Sequence, residues 1–231
     1  MIPPYRQTIH LKAEHVDAFR RLRPSVLARF FQEACIAHTE ELGMGRKKTL
    51  DRGLLWVLAN EHYKIHRFPV YDEEIELVCY PGTMLHFFFP RYLEIRSKQG
   101  ELLIQATAIW TLIDEKSRQM VDPQEKGVIV HGQENGTEIP PSLRVVSSLS
   151  LDKEIELKAT YSRSDINGHL SHLAYFDASM DALKNPEPPL KEILIAYKKE
   201  LRFGETTKLS YGEEDGQAYF LSPEVSLLLR F

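Results

Sequence analysis

Over residues 24–42 apolar side chains recur at helical spacing, with Leu27, Phe31, Ala34, Cys35, His38 and Leu42 on one stripe. Pro24 and Ser25 suit the start of that helix, and Gly43 and Gly45 suit its end. Around it the pattern switches to strand-like runs, at 5–12 before the helix and at 54–68, 73–80, 87–97 and 102–114 after it. In the 73–80 run Ile75, Leu77 and Cys79 share one face, the period of a half-buried strand. A turn-rich stretch at 132–150, with Asn135-Gly136 and Pro140-Pro141, reads as a linker. Beyond it the order repeats. An extended run at 154–162 precedes a helix at 171–183, with Leu173, Phe176, Met180 and Leu183 on its stripe and Pro186, Pro188 and Pro189 closing it. Strand-like runs follow at 191–203, 206–211, 217–221 and 225–231.

Each half thus reads strand, helix, four strands. One helix and an antiparallel sheet must cover each other to bury their apolar faces, and two such halves can join their sheets side by side. The predicted fold class is α+β, a double hotdog, with one half at 1–131, a linker at 132–150 and the other half at 151–231.

The two halves also share sequence. Ser25-Val26-Leu27-Ala28-Arg29-Phe30 returns 146 residues later as Ser171-His172-Leu173-Ala174-Tyr175-Phe176, and Arg67-Phe68-Pro69 is echoed by Arg202-Phe203-Gly204. In that register Asp165, Asn167 and His169 stand where the first half has Phe19, Arg21 and Arg23, and Glu200 stands where it has Ile65. A duplicated scaffold with these four groups in one copy only points to a single site in the second half. Asp165, Asn167 and His169 lead into a helix start, where free N–H groups and a partial positive charge polarise a carbonyl oxygen. Gly168 allows close backbone approach, His169 can pass a proton near neutrality, and Asp165 or Glu200 can serve as the base. The set suits attack of water on an activated carbonyl. Asp and Asn are also ordinary cap and turn residues. In an unbroken strand Glu200 would lie with Lys198 and Arg202 on the polar face.

Asp165-Ile166-Asn167-Gly168-His169-Leu170-Ser171-His172 resembles the D-x-N-x-H-x-N/S-x motif of acyl-acyl carrier protein thioesterases. Tyr197-Lys198-Lys199-Glu200-Leu201 is similar to their Y-R-R-E-C segment, and Trp56-Val57-Leu58 with Arg67-Phe68-Pro69 to the strand after their first helix. The resemblance implies catalytic roles for Asp165, Asn167, His169 and Glu200 in releasing fatty acid from the carrier. Leu201 stands where plant members have cysteine, so the shared chemistry must use activated water. The first half is then free to hold the acyl chain, near Leu27, Phe31 and Trp56.

A net charge of −4 argues against a nucleic-acid partner and leaves an acidic carrier to a local patch, for which Arg46, Lys47, Lys48, Lys198, Lys199 and Arg202 are the candidates. Two cysteines, Cys35 and Cys79, fall on apolar stripes and suit structural roles in a reducing, cytoplasmic setting. No apolar run is long enough to span a bilayer. His169 and His172 lack a third ligand at suitable spacing, so neither a metal nor another cofactor is expected. Phe87-Phe88-Phe89 is either buried on both faces or lines a lipid pocket. Chain length, a homodimer, and carrier against coenzyme A stay open. The rivals are an acyl-CoA thioesterase, an enoyl-thioester hydratase and a non-enzymatic acyl-binding domain.

Overall fold

A computed structural model describes residues 3–132 and 145–231. In chain order it comprises β1 (Tyr5–His10), α1 (Pro24–Glu41), β2 (Leu54–Ile65), β3 (Glu74–Pro81), β4 (Phe88–Ser97) and β5 (Leu102–Asp114). These are followed by β6 (Lys153–Lys158), α2 (Leu173–Ala182), β7 (Glu192–Tyr197), β8 (Thr206–Glu214), β9 (Gln217–Leu221) and β10 (Val225–Arg230). All ten strands form one antiparallel sheet in the order β1-β3-β4-β5-β2-β7-β10-β9-β8-β6. Read inward from either edge, both halves follow the same path: first strand, third, fourth, fifth, second. This is the double hotdog expected from the element order. Of the linker at 132–150, residues 133–144 lie outside the described residues. Val145 packs in a small cluster with Ala196, Tyr219 and Leu228.

The halves meet where β2 pairs with β7, from Asn60↔Ala196 to Lys64↔Glu192. One buried ring ties this seam to both helices. Tyr63 of β2 stacks on Phe31 of α1 at 5.7 Å and meets Phe176 of α2 edge-on at 6.0 Å. The helical stripes therefore close one continuous core rather than two. Leu27 and Phe31 belong to that core, as an amphipathic helix facing a sheet requires.

Upstream of the seam β2 carries an irregularity between Leu58 and Asn60, and its first residues pair with β5 alone. β7 ends opposite this point, at Tyr197, so the expected strand across 191–203 stops short. Glu200 lies in the following loop, and the alternation argument that gave it a solvent-facing place does not apply.

The seam is polar as well as paired. The Asn60 side chain donates to the Ile195 carbonyl at 2.8 Å, and His62 Nε2 meets Glu192 at 2.7 Å. Glu61 is fully buried and accepts from Tyr63 Oη (2.5 Å) and Tyr197 Oη (2.7 Å). Burial outweighs these two bonds and raises the Glu61 carboxyl to about 7. Because the folded value lies above the unfolded one, the stability this group contributes is complete below about pH 4.5 and is lost as pH rises through 7. The loss amounts to about 3 kcal/mol. Glu61→Gln, which keeps the neutral shape, should lack that slope. In urea unfolding at pH 5 and pH 8 the variant should gain on the parent by about this amount. Equal slopes would contradict the assignment.

Candidate functional site

The segment ahead of α2 is a tight turn built by its own aspartate. Asp165 Oδ1 accepts the N–H groups of Asn167 (2.9 Å) and His169 (3.1 Å), while the Asp165 N–H donates to the His169 carbonyl (2.8 Å). Gly168 sits at φ 74°, the left-handed region that glycine adopts without strain. No protein atom lies within 4 Å of where a side chain would begin, so it is the turn conformation that calls for glycine within the protein itself.

Two backbone bonds lay this turn on the loop after β7: Leu170 N–H to the Leu201 carbonyl (2.7 Å) and Phe203 N–H to the Gly168 carbonyl (2.9 Å). They bring His169 Nε2 to 3.4 Å from Glu200 Oε2. The His169 side chain is only 12% exposed and that of Glu200 37%, so the pair combines a shielded imidazole with a carboxylate open to water.

The same turn exists in the first half. Asp17 Oδ1 accepts from Phe19 and Arg21 N–H, both at 2.9 Å, and Leu22 N–H donates to the Pro69 carbonyl. The structural repeat therefore runs at an interval of 148 residues (17 to 165), two more than the helical identity suggests. Asp165 corresponds to Asp17, Asn167 to Phe19 and His169 to Arg21. By the matching bonds on the later loops, Glu200 corresponds to Phe68. The expectation that Asp165 is special to one half fails, since both halves use an aspartate to close the turn. Asn167, His169 and Glu200 remain peculiar to the second. Arg21 is committed elsewhere, to Asp17 (3.2 Å) and the carbonyls of Pro186 and Glu187.

Asn167 and Glu200 line a cavity of about 240 Å³ whose remaining described wall comes from the first half. Trp56, Val57, Phe89 and Trp110 supply its apolar surface, with Phe89 edge-on to Trp56 at 4.7 Å. Of the aromatic run at 87–89 only Phe89 is buried. Leu27, Phe31 and Gly168, expected beside the substrate, are not on this wall: the first two are spent on the helix–sheet core and the third on the turn.

Sequence reading missed Arg118. It lies on the turn after β5, lines the same cavity, and reaches Glu200 Oε2 at 3.3 Å and His169 Nε2 at 3.4 Å. Cys35 also lies on the cavity wall, 3.9 Å from Cys79. Burial pushes the Cys79 thiol up, but Cys35, His38 and the Arg91 guanidinium outweigh it and bring the thiol to about 6. His172, at the start of α2, is an uncharged imidazole, pulled down to about 4 by burial. Of the proposed carrier contacts, Arg46 borders the cavity while paired with Asp51 at 3.0 Å. Lys47, Lys48, Lys198, Lys199 and Arg202 are exposed.

Comparison with known proteins places the chain in context. Residues 4–127 match the acyl-ACP thioesterase N-terminal domain. Dodecanoyl-[acyl-carrier-protein] hydrolase of Cinnamomum camphora is 22% identical over 191 residues, covering 75% of this chain and 49% of that protein. The FATB3 acyl-[acyl-carrier-protein] hydrolase of Cuphea viscosissima is 25% identical over 123 residues, 50% of this chain and 30% of its own. The chain thus spans between 30% and 49% of the length of these curated relatives. Among solved structures, the 12:0-ACP thioesterase of Umbellularia californica superimposes with a TM-score of 0.82 at 17% identity, covering 98% of this chain and 96% of that one. An acyl-ACP thioesterase of Bacteroides thetaiotaomicron gives 0.78 at 18%, covering 98% and 97%. At these identities the structural likeness speaks for the fold.

If Asp165 serves as a turn former, removing it should act on stability as removing Asp17 does. Asp165→Ala should cost about 1 kcal/mol in urea unfolding, and Asp17→Ala at least as much because it also frees Arg21. A loss at one turn with none at the other would contradict the equivalence.

Proposed function

The chain belongs to the acyl-ACP thioesterase family, and from that premise we propose that it hydrolyses fatty acyl thioesters of acyl carrier protein, releasing free fatty acid and the carrier. The observation that carries the proposal is the His169–Glu200 pair at 3.4 Å, whose carboxylate lines, with Asn167, a cavity walled by Trp56, Val57, Phe89 and Trp110.

The chemistry follows from which groups are free. Asp165 Oδ1 is occupied by two backbone N–H groups of its own turn and lies off the cavity wall, so it positions the segment. Glu200 is the base. Its carboxylate takes a proton from a water molecule as the water oxygen bonds to the thioester carbonyl carbon. The carbonyl π electrons move onto oxygen, and the Asn167 amide, on the cavity wall, orients water or carbonyl. The tetrahedral intermediate collapses with cleavage of the C–S bond. The proton held by Glu200, relayed or oriented by His169, goes to the departing sulfur. Each such positioned group contributes about 10²–10⁴ in rate.

The acyl chain lies in the first half, against Trp56, Val57, Phe89 and Trp110. At about 0.8 kcal/mol for each buried methylene, the depth of this wall selects among chain lengths over several kcal/mol. The 1–131 half then supplies chain binding and the 151–231 half the base and imidazole. The carrier's acidic surface meets the exposed Arg46, Lys47, Lys48, Lys198, Lys199 and Arg202. The curated relatives named as acyl-carrier hydrolases support carrier over coenzyme A.

Thiol release measured over matched acyl-carrier and acyl-CoA panels tests this reading. The expected result is higher kcat/KM on the carrier. Equal or better hydrolysis of acyl-CoA would remove the carrier preference, and thioester consumed without thiol release would indicate hydration of an enoyl chain instead. Within the site, Glu200→Gln and His169→Ala should each lower kcat by about 10²–10⁴, whereas Arg21→Ala, at the equivalent place in the first half, should leave it within a few-fold. Comparable damage from a folded Arg21→Ala protein would defeat the single-site reading.

A further inference from the structure

Arg118 of the first half reaches both His169 and Glu200, and the fold goes to some length to present it. β5 ends at Asp114, and the chain reverses so that Ile113 bridges Met120. Asp114 Oδ1 accepts the Lys116 N–H (3.1 Å), the Ser117 N–H (2.8 Å) and the Ser117 hydroxyl (2.9 Å). The Asp114 N–H donates to the Gln119 carbonyl and the Arg118 N–H to the Asp114 carbonyl, both at 2.9 Å. Arg118 itself sits at φ 60°, in the left-handed region that side-chain-bearing residues seldom occupy. The turn starts opposite Leu54, the first residue of β2, in the stretch where β2 pairs with β5 but not with β7. From there the guanidinium reaches across to the second half.

Its two terminal nitrogens are in different situations. Nη2 lies 3.3 Å from Glu200 Oε2 and 3.4 Å from His169 Nε2. Nη1 is buried and has no hydrogen-bond partner among the described residues. A buried donor left without an acceptor costs about 1–3 kcal/mol, more for a charged group. This one belongs to a residue that lines the cavity together with Asn167 and Glu200. A preorganised cationic donor beside the base, lacking an oxygen, is what a developing oxyanion requires.

We propose that Arg118 is a catalytic residue supplied by the first half, whose Nη1 donates a hydrogen bond to the thioester carbonyl oxygen and to the oxyanion that forms on it. Nη2 keeps its place against Glu200, so one planar fork sets the base and the carbonyl in a fixed relation. No proton leaves the guanidinium. The charge that appears on oxygen when water adds is met by the donor and disappears when the C–S bond breaks. The inference rests on the thioesterase reading, and it is separable from that reading by experiment. The competing account makes Arg118 a mere ion-pair partner that restrains Glu200.

The test uses the full chain, its Arg118→Met and Arg118→Lys variants, and two stable ligands on a pantetheine arm. One is an S-alkyl thioether with no carbonyl, and the other a trifluoromethyl ketone, whose hydrated form mimics the tetrahedral adduct. By titration calorimetry, thioether affinity should agree within about twofold among the three proteins. Ketone affinity should fall about 10²–10³-fold in Arg118→Met, in parallel with kcat, and less in Arg118→Lys, which keeps a charge without the fork. Equal weakening of both ligands would overturn the proposal. So would unchanged ketone binding together with an upward move of the acid limb of kcat/KM, the signature of a restraint on Glu200. Should Arg118→Met fail to fold by circular dichroism, Arg118→Lys carries the same comparison. A parent protein that releases no thiol yet prefers the ketone through Arg118 would refute hydrolysis while leaving this site intact.

Discussion

The antiparallel pairing of β2 with β7 is the constraint on which the other features depend. Five residue pairs join two five-stranded halves into one sheet. The Tyr63 ring at that seam receives an aromatic side chain from each helix. Moving this register by one residue would turn Tyr63 and Glu61 to the opposite face and separate both helices from a shared core. The polar groups gathered there act against such a slip. Asn60, Glu61 and His62 each bond to a partner on β7, and Arg230 joins Glu192 from β10. A buried carboxyl with two tyrosine partners is satisfied in one register only. At neutral pH this arrangement trades stability for a single pairing.

The irregularity beside the seam determines where the cavity opens. Between Leu58 and Asn60 the pairing of β2 shifts, β7 ends nearby, and the wall that follows is built by β2, β4 and β5 together with α1 and the segment after it. The loop bearing Glu200 and the turn bearing His169 cover this opening from the second half, while Arg118 enters from the first. Duplication therefore produced two equivalent Asp-closed turns with different fates. One carries Arg21 and locks the halves together through the 186–187 carbonyls. The other carries His169 and faces a cavity.

Much of this was legible in the chain itself. The helical stripes, the two-period strands and their order gave the architecture, because each element must bury one face and only a few layered arrangements allow it. Less legible was the register of the repeat. Six residues match at the helix starts, yet hydrogen bonding aligns Asp17 with Asp165, and those turns share little besides an aspartate followed five residues later by leucine. Apolar alternation runs to Tyr197 and nothing local marks the stop, so the sequence places Glu200 in a strand. A helical stripe looks the same whether it meets a ligand or a sheet, which is why the sequence points to Leu27 and Phe31 as pocket. Arg118 could not be found by motif, since only the pairing of β5 with β2 and of β2 with β7 carries it to Glu200. The aspartate–serine turn signal at 114–117 was its one local trace.

Arg118 from the first half and His169 from the second are proposed to act together in one catalytic site assembled across the seam. A double-mutant cycle on single-turnover hydrolysis addresses it most directly, comparing Arg118→Met, His169→Ala and their combination with the parent. Groups that serve one transition state through a shared Glu200 are strongly non-additive, so the double variant should be scarcely slower than the worse single one. Additive losses, with all four proteins folded, would show that the two halves act independently and would contradict the account.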